Sequence, residues 1–124
     1  MKLRLTLLPD LLAVARLAPD EAMPAWARGP LLSVTWTADE LSIICTDEAV
    51  PEGVQAERNW RVMKVEGPIP FDAIGVAAAL VSPLATARIS VFFLSTYDTD
   101  YLMVKDDLLA DGIDALRRAG HDIS

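Results

Sequence analysis

The sequence predicts an α+β fold with antiparallel sheets and helices on one face, built from two similar halves. Apolar residues make up 52% of the 124 residues, which is enough for a buried core. Segments that alternate apolar and polar side chains, typical of strands, are separated by segments of helical periodicity. Residues 32–47 also match residues 92–107 in residue type at an offset of 60. A repeated strand–helix–strand–strand unit indicates an α+β architecture.

The first half is predicted to begin with a half-buried strand over residues 2–8, where apolar residues recur at every second position. Pro9 suits the first position of a helix, so a short helix is expected after it. Residues 18–30 hold three prolines and a glycine and are predicted to form a loop. Strands at 31–36 and 41–45 follow, and the short polar turn between them predicts a hairpin.

The second half begins with an alternating strand over residues 60–66. An apolar segment then predicts a helix from about 71 to 87, with Pro83 in its last turn. Residues 89–94 are apolar on both faces, which predicts a central strand. The remaining predicted elements are a strand at 101–104, a helix from about 106 to 119 and an edge strand at 121–123.

Composition restricts the classes of partner and compartment. The 18 acidic and 11 basic residues give a net charge of −7, which argues against nucleic acid as a partner. The single cysteine, Cys45, cannot form an internal disulfide, and this favours a reducing, cytoplasmic location. The longest stretch without charged residues, 73–87, is shorter than the roughly 20 residues of a spanning helix. We therefore expect a cytoplasmic protein without membrane or nucleic-acid partners.

Residues of catalytic or metal-binding type are few. Cys45 and the only histidine, His121, have no neighbours in sequence that would activate a nucleophile or orient a base. Asp98 and Asp100 flank Thr99 in a pattern that suits a divalent cation, but a polar hairpin turn explains the same residues. Neither an enzyme nor a metal or cofactor site is expected.

The second half carries an ordered set of motifs that resembles a known family. The motifs are Trp60–Gly67, Gly75–Ala78, Pro83–Ala85 and Ser95–Lys105. The set resembles the ACT-domain proteins of the small bacterial tandem type, which are related to the CASTOR arginine sensors. The segment Glu40–Cys45 fits the first half of the same family. The resemblance implies two ACT-like modules of ferredoxin-like βαββαβ topology, at residues 1–57 and 58–124.

The resemblance also implies a function. ACT domains bind small ligands, most often amino acids, and regulate another activity, so a non-catalytic regulatory or sensor protein is expected. In relatives, the ligand contacts the loop and helix start after the first strand, together with a Ser-Thr stretch and an acid four residues after the Thr. The implied ligand-binding residues are Gly67, Ala73, Ile74, Gly75, Ser95, Thr96 and Asp100.

Elementary chemistry agrees with a site of this kind. The unpaired N–H groups of a helix N-terminus suit a carboxylate, although Asp72 could instead cap that end. Asp98 and Asp100 can accept hydrogen bonds from an ammonium group, so the site is suited to a zwitterion. Arginine-sensing relatives have an acid near the helix start, where this chain has Ala73. The resemblance therefore leaves the ligand's side chain open.

Two further expectations concern assembly. The predicted helix 71–87 is apolar on most faces, so we expect a homodimer with this helix near the interface. The alternative to a ligand-binding protein is a ligand-free ACT-like module that dimerises and acts only through protein–protein contacts.

Overall fold

The computed structural model describes residues 1–124, and the chain divides into two compact units. The larger unit comprises residues 1–9 and 61–124, and the smaller unit comprises residues 10–60. The elements in chain order are β1 (Arg4–Leu17), β2 (Ser33–Trp36), β3 (Leu41–Thr46), β4 (Ala56–Val65), α1 (Val76–Thr86), β5 (Phe92–Ser95), β6 (Asp100–Lys105), α2 (Leu109–Arg118) and β7 (Asp122–Ile123). The division at residue 57 that the sequence predicts stays a prediction.

In the larger unit, β4 lies between β6 and the first residues of β1, and β5 pairs with the outer edge of β6. β5 and β6 are antiparallel, whereas β7 runs parallel to β1 with Arg4 opposite Asp122. Helix α1 turns one face to the core through Val76, Leu80 and Leu84, at the spacing of four that places side chains in line. The buried core is made of Leu5, Met63, Val65, Val76, Leu80, Leu84, Ile89, Leu102, Val104, Ala115, Leu116 and Ile123.

In the smaller unit, β3 lies between β2 and β1 and is antiparallel to both. A 3₁₀ turn at Asp47–Ala49 follows β3, and the unit has no α-helix. Its buried core consists of Ala13, Ala15, Ala27, Leu41, Ile43, Cys45 and Val50. The architecture is α+β, with an antiparallel sheet and two α-helices, which confirms the fold class that the sequence predicts. Neither α-helix has the length and apolar composition needed to cross a bilayer.

The helix predicted after Pro9 is wrong, because these residues continue strand β1 to Leu17. The ladder to β3 explains the difference: Ala13 pairs with Cys45 and Ala15 pairs with Ile43, and all four residues are buried. Pairing with a distant strand outweighs the weak helix preference of this segment.

Two other predictions are corrected in the larger unit. Helix α1 begins at Val76 rather than at 71, because Gly75 adopts a left-handed backbone with φ 85° and forms the helix boundary. Strand β5 is an edge strand rather than a central one, since it pairs only with β6. Its apolar residues Phe92, Phe93 and Leu94 are half-buried for the same reason.

The internal repeat is present in the two hairpins, but its offset differs by one residue from the sequence match. In the paired strands Ser33 corresponds to Phe92 and Leu41 to Asp100, an offset of 59 rather than 60. Residue type aligned Glu40 with Asp100, whereas the hydrogen-bonded ladder aligns Leu41 with it. Because side chains alternate along a strand, this shift of one residue exchanges the two faces of the hairpin.

Candidate functional site

A cavity of about 310 Å³ lies in the larger unit, between residues 69–77 and residues 93–100. The first segment is the loop that precedes α1 together with the helix start, and the second contains the β5–β6 turn. The lining residues are Ile69, Pro70, Phe71, Ala73, Gly75, Val76, Ala77, Phe93, Ser95, Thr96, Tyr97, Thr99 and Asp100. Asp100 is the only one of these residues that carries a charge.

One wall of the cavity is the N-terminus of α1. Gly75 is the N-cap, no side chain caps this end, and no acid stands in the first turn. The first hydrogen bond of the helix runs from the Ala79 N–H to the Gly75 carbonyl oxygen at 2.9 Å. The earlier N–H groups of a helix have no partner within the helix and favour an anion. Val76 and Ala77, which carry such groups, line the cavity.

The β5–β6 hairpin contributes a hydroxyl–carboxylate pair to the cavity wall. The Ser95 hydroxyl donates to Oδ1 of Asp100 at 2.6 Å. The two residues face each other as the last pair of the β5–β6 ladder, so the hairpin itself sets their separation. A carboxylate has about four acceptor positions, so one bond from Ser95 leaves capacity for a ligand donor.

Thr96 has a structural role in the hairpin turn. Its N–H donates to the Thr99 carbonyl oxygen at 2.8 Å, and its hydroxyl donates to the same oxygen at 3.1 Å. Thr37 makes the same two contacts with the Glu40 carbonyl oxygen, at 2.9 and 3.4 Å, in the β2–β3 turn. The threonine is therefore common to both turns, as the repeat requires, and its hydroxyl stabilises the turn.

Unlike the threonine, Ser95 and Asp100 are not repeated in the smaller unit. At the offset of 59, Ser95 corresponds to Trp36 and Asp100 corresponds to Leu41. The smaller unit thus keeps the threonine turn but replaces the hydroxyl and the carboxylate with apolar side chains. Ser95 and Asp100 are not needed to build the hairpin, which makes them candidates for function.

The structure brings five of the seven residues predicted for the site around the cavity: Ala73, Gly75, Ser95, Thr96 and Asp100. Ile74 is 89% exposed and does not line it. Gly67 lies outside the cavity, where a Cβ would be 3.1 Å from the Asp98 carbonyl oxygen. The Ala73 N–H donates to the Pro70 carbonyl oxygen, so the amides at the helix start are those of Val76 and Ala77.

Two aromatic rings at the cavity were not predicted from the sequence. Phe71 and Tyr97 contact each other edge to face, with ring centroids 4.8 Å apart and an interplanar angle of 80°. They are 77% and 80% exposed. Tyr97 lies inside the motif that carries the family resemblance, but nothing in the sequence indicates that Phe71 contacts it.

His121 and Cys45 are held in structural positions. The Leu3 N–H donates to Nδ1 of His121 at 3.0 Å, and Nε2 lies 2.9 Å from the Ala79 carbonyl oxygen. Cys45 is fully buried in the smaller unit, and burial raises the pKa of its thiol, which keeps it protonated near neutral pH. No three His, Cys, Asp or Glu side chains are grouped so that they could hold a metal ion.

Comparison with known proteins agrees with this fold. A family model described as the ACT domain matches residues 55–118, and a second model, of an N-terminal domain, matches residues 10–53. The human "Cytosolic arginine sensor for mTORC1 subunit 1" is 37% identical over 60 residues, which are 48% of this chain. The aligned region spans only 18% of that relative's length.

Solved structures extend the likeness to the whole chain. Protein Atu0741 from Agrobacterium tumefaciens is 38% identical with a TM-score of 0.94, and the match covers 100% of this chain and 93% of that one. The ligand-free regulatory subunit of aspartate kinase from Thermus thermophilus is 11% identical with a TM-score of 0.62, covering 90% of this chain and 93% of that one, and shares the fold. The chain therefore belongs to the ACT-domain family and is distantly related to the CASTOR arginine sensors.

Proposed function

We propose that this protein is a non-catalytic regulatory module that binds an amino acid, or a similar small zwitterion, in the cavity beside the start of α1. The observation that carries the proposal is the pairing of two opposite electrostatic features around one cavity. Asp100 supplies a negative charge on one wall, and the uncapped N-terminus of α1 supplies partial positive charge on the other. A zwitterion needs both.

In this arrangement the ligand's ammonium group donates to the Asp100 carboxylate, which Ser95 holds in place. Its carboxylate accepts from the amides of Val76 and Ala77. Hydrogen bonds to charged groups contribute roughly 1.5–3 kcal/mol each. The cavity volume of about 310 Å³ is at the lower end of small-molecule sites, which suits a single amino acid.

The related proteins support a regulatory role. One relative is named as a cytosolic arginine sensor, and one structural neighbour is the regulatory subunit of an amino-acid kinase. Both names connect the family to amino acids and to control of another activity.

A non-catalytic role is supported by the positions of the two side chains best suited to chemistry. Both ring nitrogens of His121 are engaged with backbone groups, so the ring has no nitrogen left to act as a base. The Cys45 thiol is fully buried and its pKa is raised, which disfavours the nucleophilic thiolate.

We further infer that two copies of the chain associate near the start of α1, in the cytoplasm. Ile74 precedes this helix and is 89% exposed, and Phe71 and Tyr97 nearby are also exposed. A group of exposed apolar side chains, unlike a single one, marks an interaction surface. The net charge of −7 and the single reduced cysteine suit a cytoplasmic location.

The second candidate is the ligand-free module that acts only through protein contacts. It is favoured by the exposure of Phe71, Ile74 and Tyr97 close to the cavity. A thermal-shift screen of the twenty amino acids separates the two candidates, because a bound ligand raises the unfolding temperature. We expect a concentration-dependent rise with at least one amino acid. A screen without any rise contradicts the binding proposal and favours the ligand-free module.

A further inference from the structure

We propose that the ligand is an amino acid with an apolar side chain, and that the Phe71–Tyr97 pair is the element that selects it. The inference rests on the proposed function and adds the class of side chain. It is drawn from the composition of the cavity wall and from the contact between the two rings.

The wall offers a ligand side chain mainly apolar surface. Asp100 is the single charge, and the remaining side chains are mostly aliphatic or aromatic, including Ile69, Val76 and Phe93. Two hydroxyls in the wall donate within the protein, from Thr96 to the Thr99 carbonyl and from Thr99 to the Val65 carbonyl. Once the ammonium and carboxylate groups of the ligand are paired, the wall has few hydrogen-bonding groups left for the ligand's side chain.

This composition disfavours charged side chains. An acidic side chain would find no basic group among the lining residues, and the Asp100 carboxylate would repel it. A basic side chain would compete with the α-ammonium group for the one available carboxylate. Ala73, which also lines the cavity, offers no second acid. An apolar side chain needs neither partner.

The aromatic pair connects the two segments that form the cavity. Phe71 comes from the loop before α1 and Tyr97 from the β5–β6 turn, and their rings touch at 4.8 Å between centroids. Both rings are largely exposed, although aromatic side chains gain most when they are buried. A ligand side chain in the cavity gives the two rings apolar surface to cover. The pair therefore closes over an apolar side chain and gains nothing from glycine.

The test is calorimetric titration of the full chain with L-leucine, glycine, L-aspartate and L-arginine. Burial of a leucine side chain predicts binding about tenfold or more tighter than that of glycine. Aspartate and arginine are expected to bind more weakly than leucine. Tighter binding of aspartate or arginine overturns this inference and leaves the proposed function standing. No binding of any amino acid overturns the proposed function, and this inference with it.

Two variants test the role of the rings. Phe71→Ala and Tyr97→Ala are each expected to lower the leucine-to-glycine affinity ratio several-fold, while the unfolding temperature without ligand stays unchanged because both rings are exposed. The matched control is Trp36→Ala, which removes an exposed aromatic side chain from the strand end beside the corresponding turn of the smaller unit and should leave the ratio unchanged. An unchanged ratio in both ring variants overturns the assignment of the pair.

Discussion

Ser95 and Asp100 face each other at the turn end of the β5–β6 hairpin, and the Ser95 hydroxyl donates to Oδ1 of Asp100 at 2.6 Å. The corresponding positions in the smaller unit are Trp36 and Leu41, in a hairpin with the same register and the same threonine turn. Because the same hairpin forms with Trp36 and Leu41 at these positions, hairpin formation does not require Ser95 or Asp100. We therefore assign the polar pair to the proposed ligand site.

Ser95→Ala is expected to weaken amino-acid binding roughly threefold to tenfold, because it removes one hydrogen bond that positions the Asp100 carboxylate. The unfolding temperature without ligand should change little, since Ser95 is exposed. Calorimetry with the amino acid that gives the largest thermal shift measures the effect. Unchanged affinity would show that Asp100 binds without help from Ser95.

Thr99→Val is expected to lower the free energy of unfolding by about 1–3 kcal/mol. The Thr99 side chain is buried, and its hydroxyl donates to the Val65 carbonyl oxygen at 2.6 Å, so valine leaves that carbonyl without this partner. Denaturant unfolding measures the change. Thr96→Val is the matched control and should cost less, because Thr96 is exposed and water can replace its hydroxyl. Equal losses in the two variants would contradict this account of the turn.

A fragment of residues 58–124, the half that the sequence predicts as a module, is expected to be unstable or to aggregate when expressed alone. The core of the larger unit includes Leu5, and the Arg4 carbonyl accepts from the Glu66 N–H at 2.7 Å. The fragment lacks both. A fragment with residues 1–9 attached after Ser124 through a flexible linker should regain cooperative unfolding. A stable, soluble 58–124 monomer would contradict the prediction.

The proposed dimer is tested by analytical ultracentrifugation at micromolar concentration. We expect a species of twice the 13.5 kDa chain mass. Ile74→Glu should shift the population towards the monomer, because it places a charge at the inferred interface while changing a side chain that is 89% exposed. A wild-type chain that sediments only at 13.5 kDa would contradict the dimer.

Much of the fold follows from local pattern. The two hairpins and helix α2 were predictable, because alternation, polar turns and acidic helix starts act over a few residues. The segment 9–17 was not, since its strand conformation depends on pairing with Leu41–Thr46 much later in the chain. The offset of the repeat could be determined only from the pairing of the strands. Residue type alone was ambiguous, because both hairpins have acidic and apolar residues close to the same positions.

The cavity residues that were expected from the sequence, Ala73, Gly75, Ser95, Thr96 and Asp100, all came from the family resemblance. Ser95, Thr96 and Asp100 are close in sequence, so a family resemblance places them together. The contact between Phe71 and Tyr97 joins two distant segments and depends on how the loop before α1 folds. The role of Thr96 in the turn could not be predicted either, because the sequence does not show that its hydroxyl donates to the Thr99 carbonyl oxygen.

The most direct test of ligand binding at this cavity is calorimetry on Asp100→Asn beside the wild type, with the amino acid that gives the largest thermal shift. The variant removes the only charge in the cavity wall, so we expect affinity to fall about tenfold to a hundredfold, equivalent to roughly 1.5–3 kcal/mol. The matched control is Asp98→Asn, which removes the same charge two residues away, from a side chain outside the cavity, and should bind as the wild type does. Equal affinities of Asp100→Asn and the wild type would contradict the site proposed here.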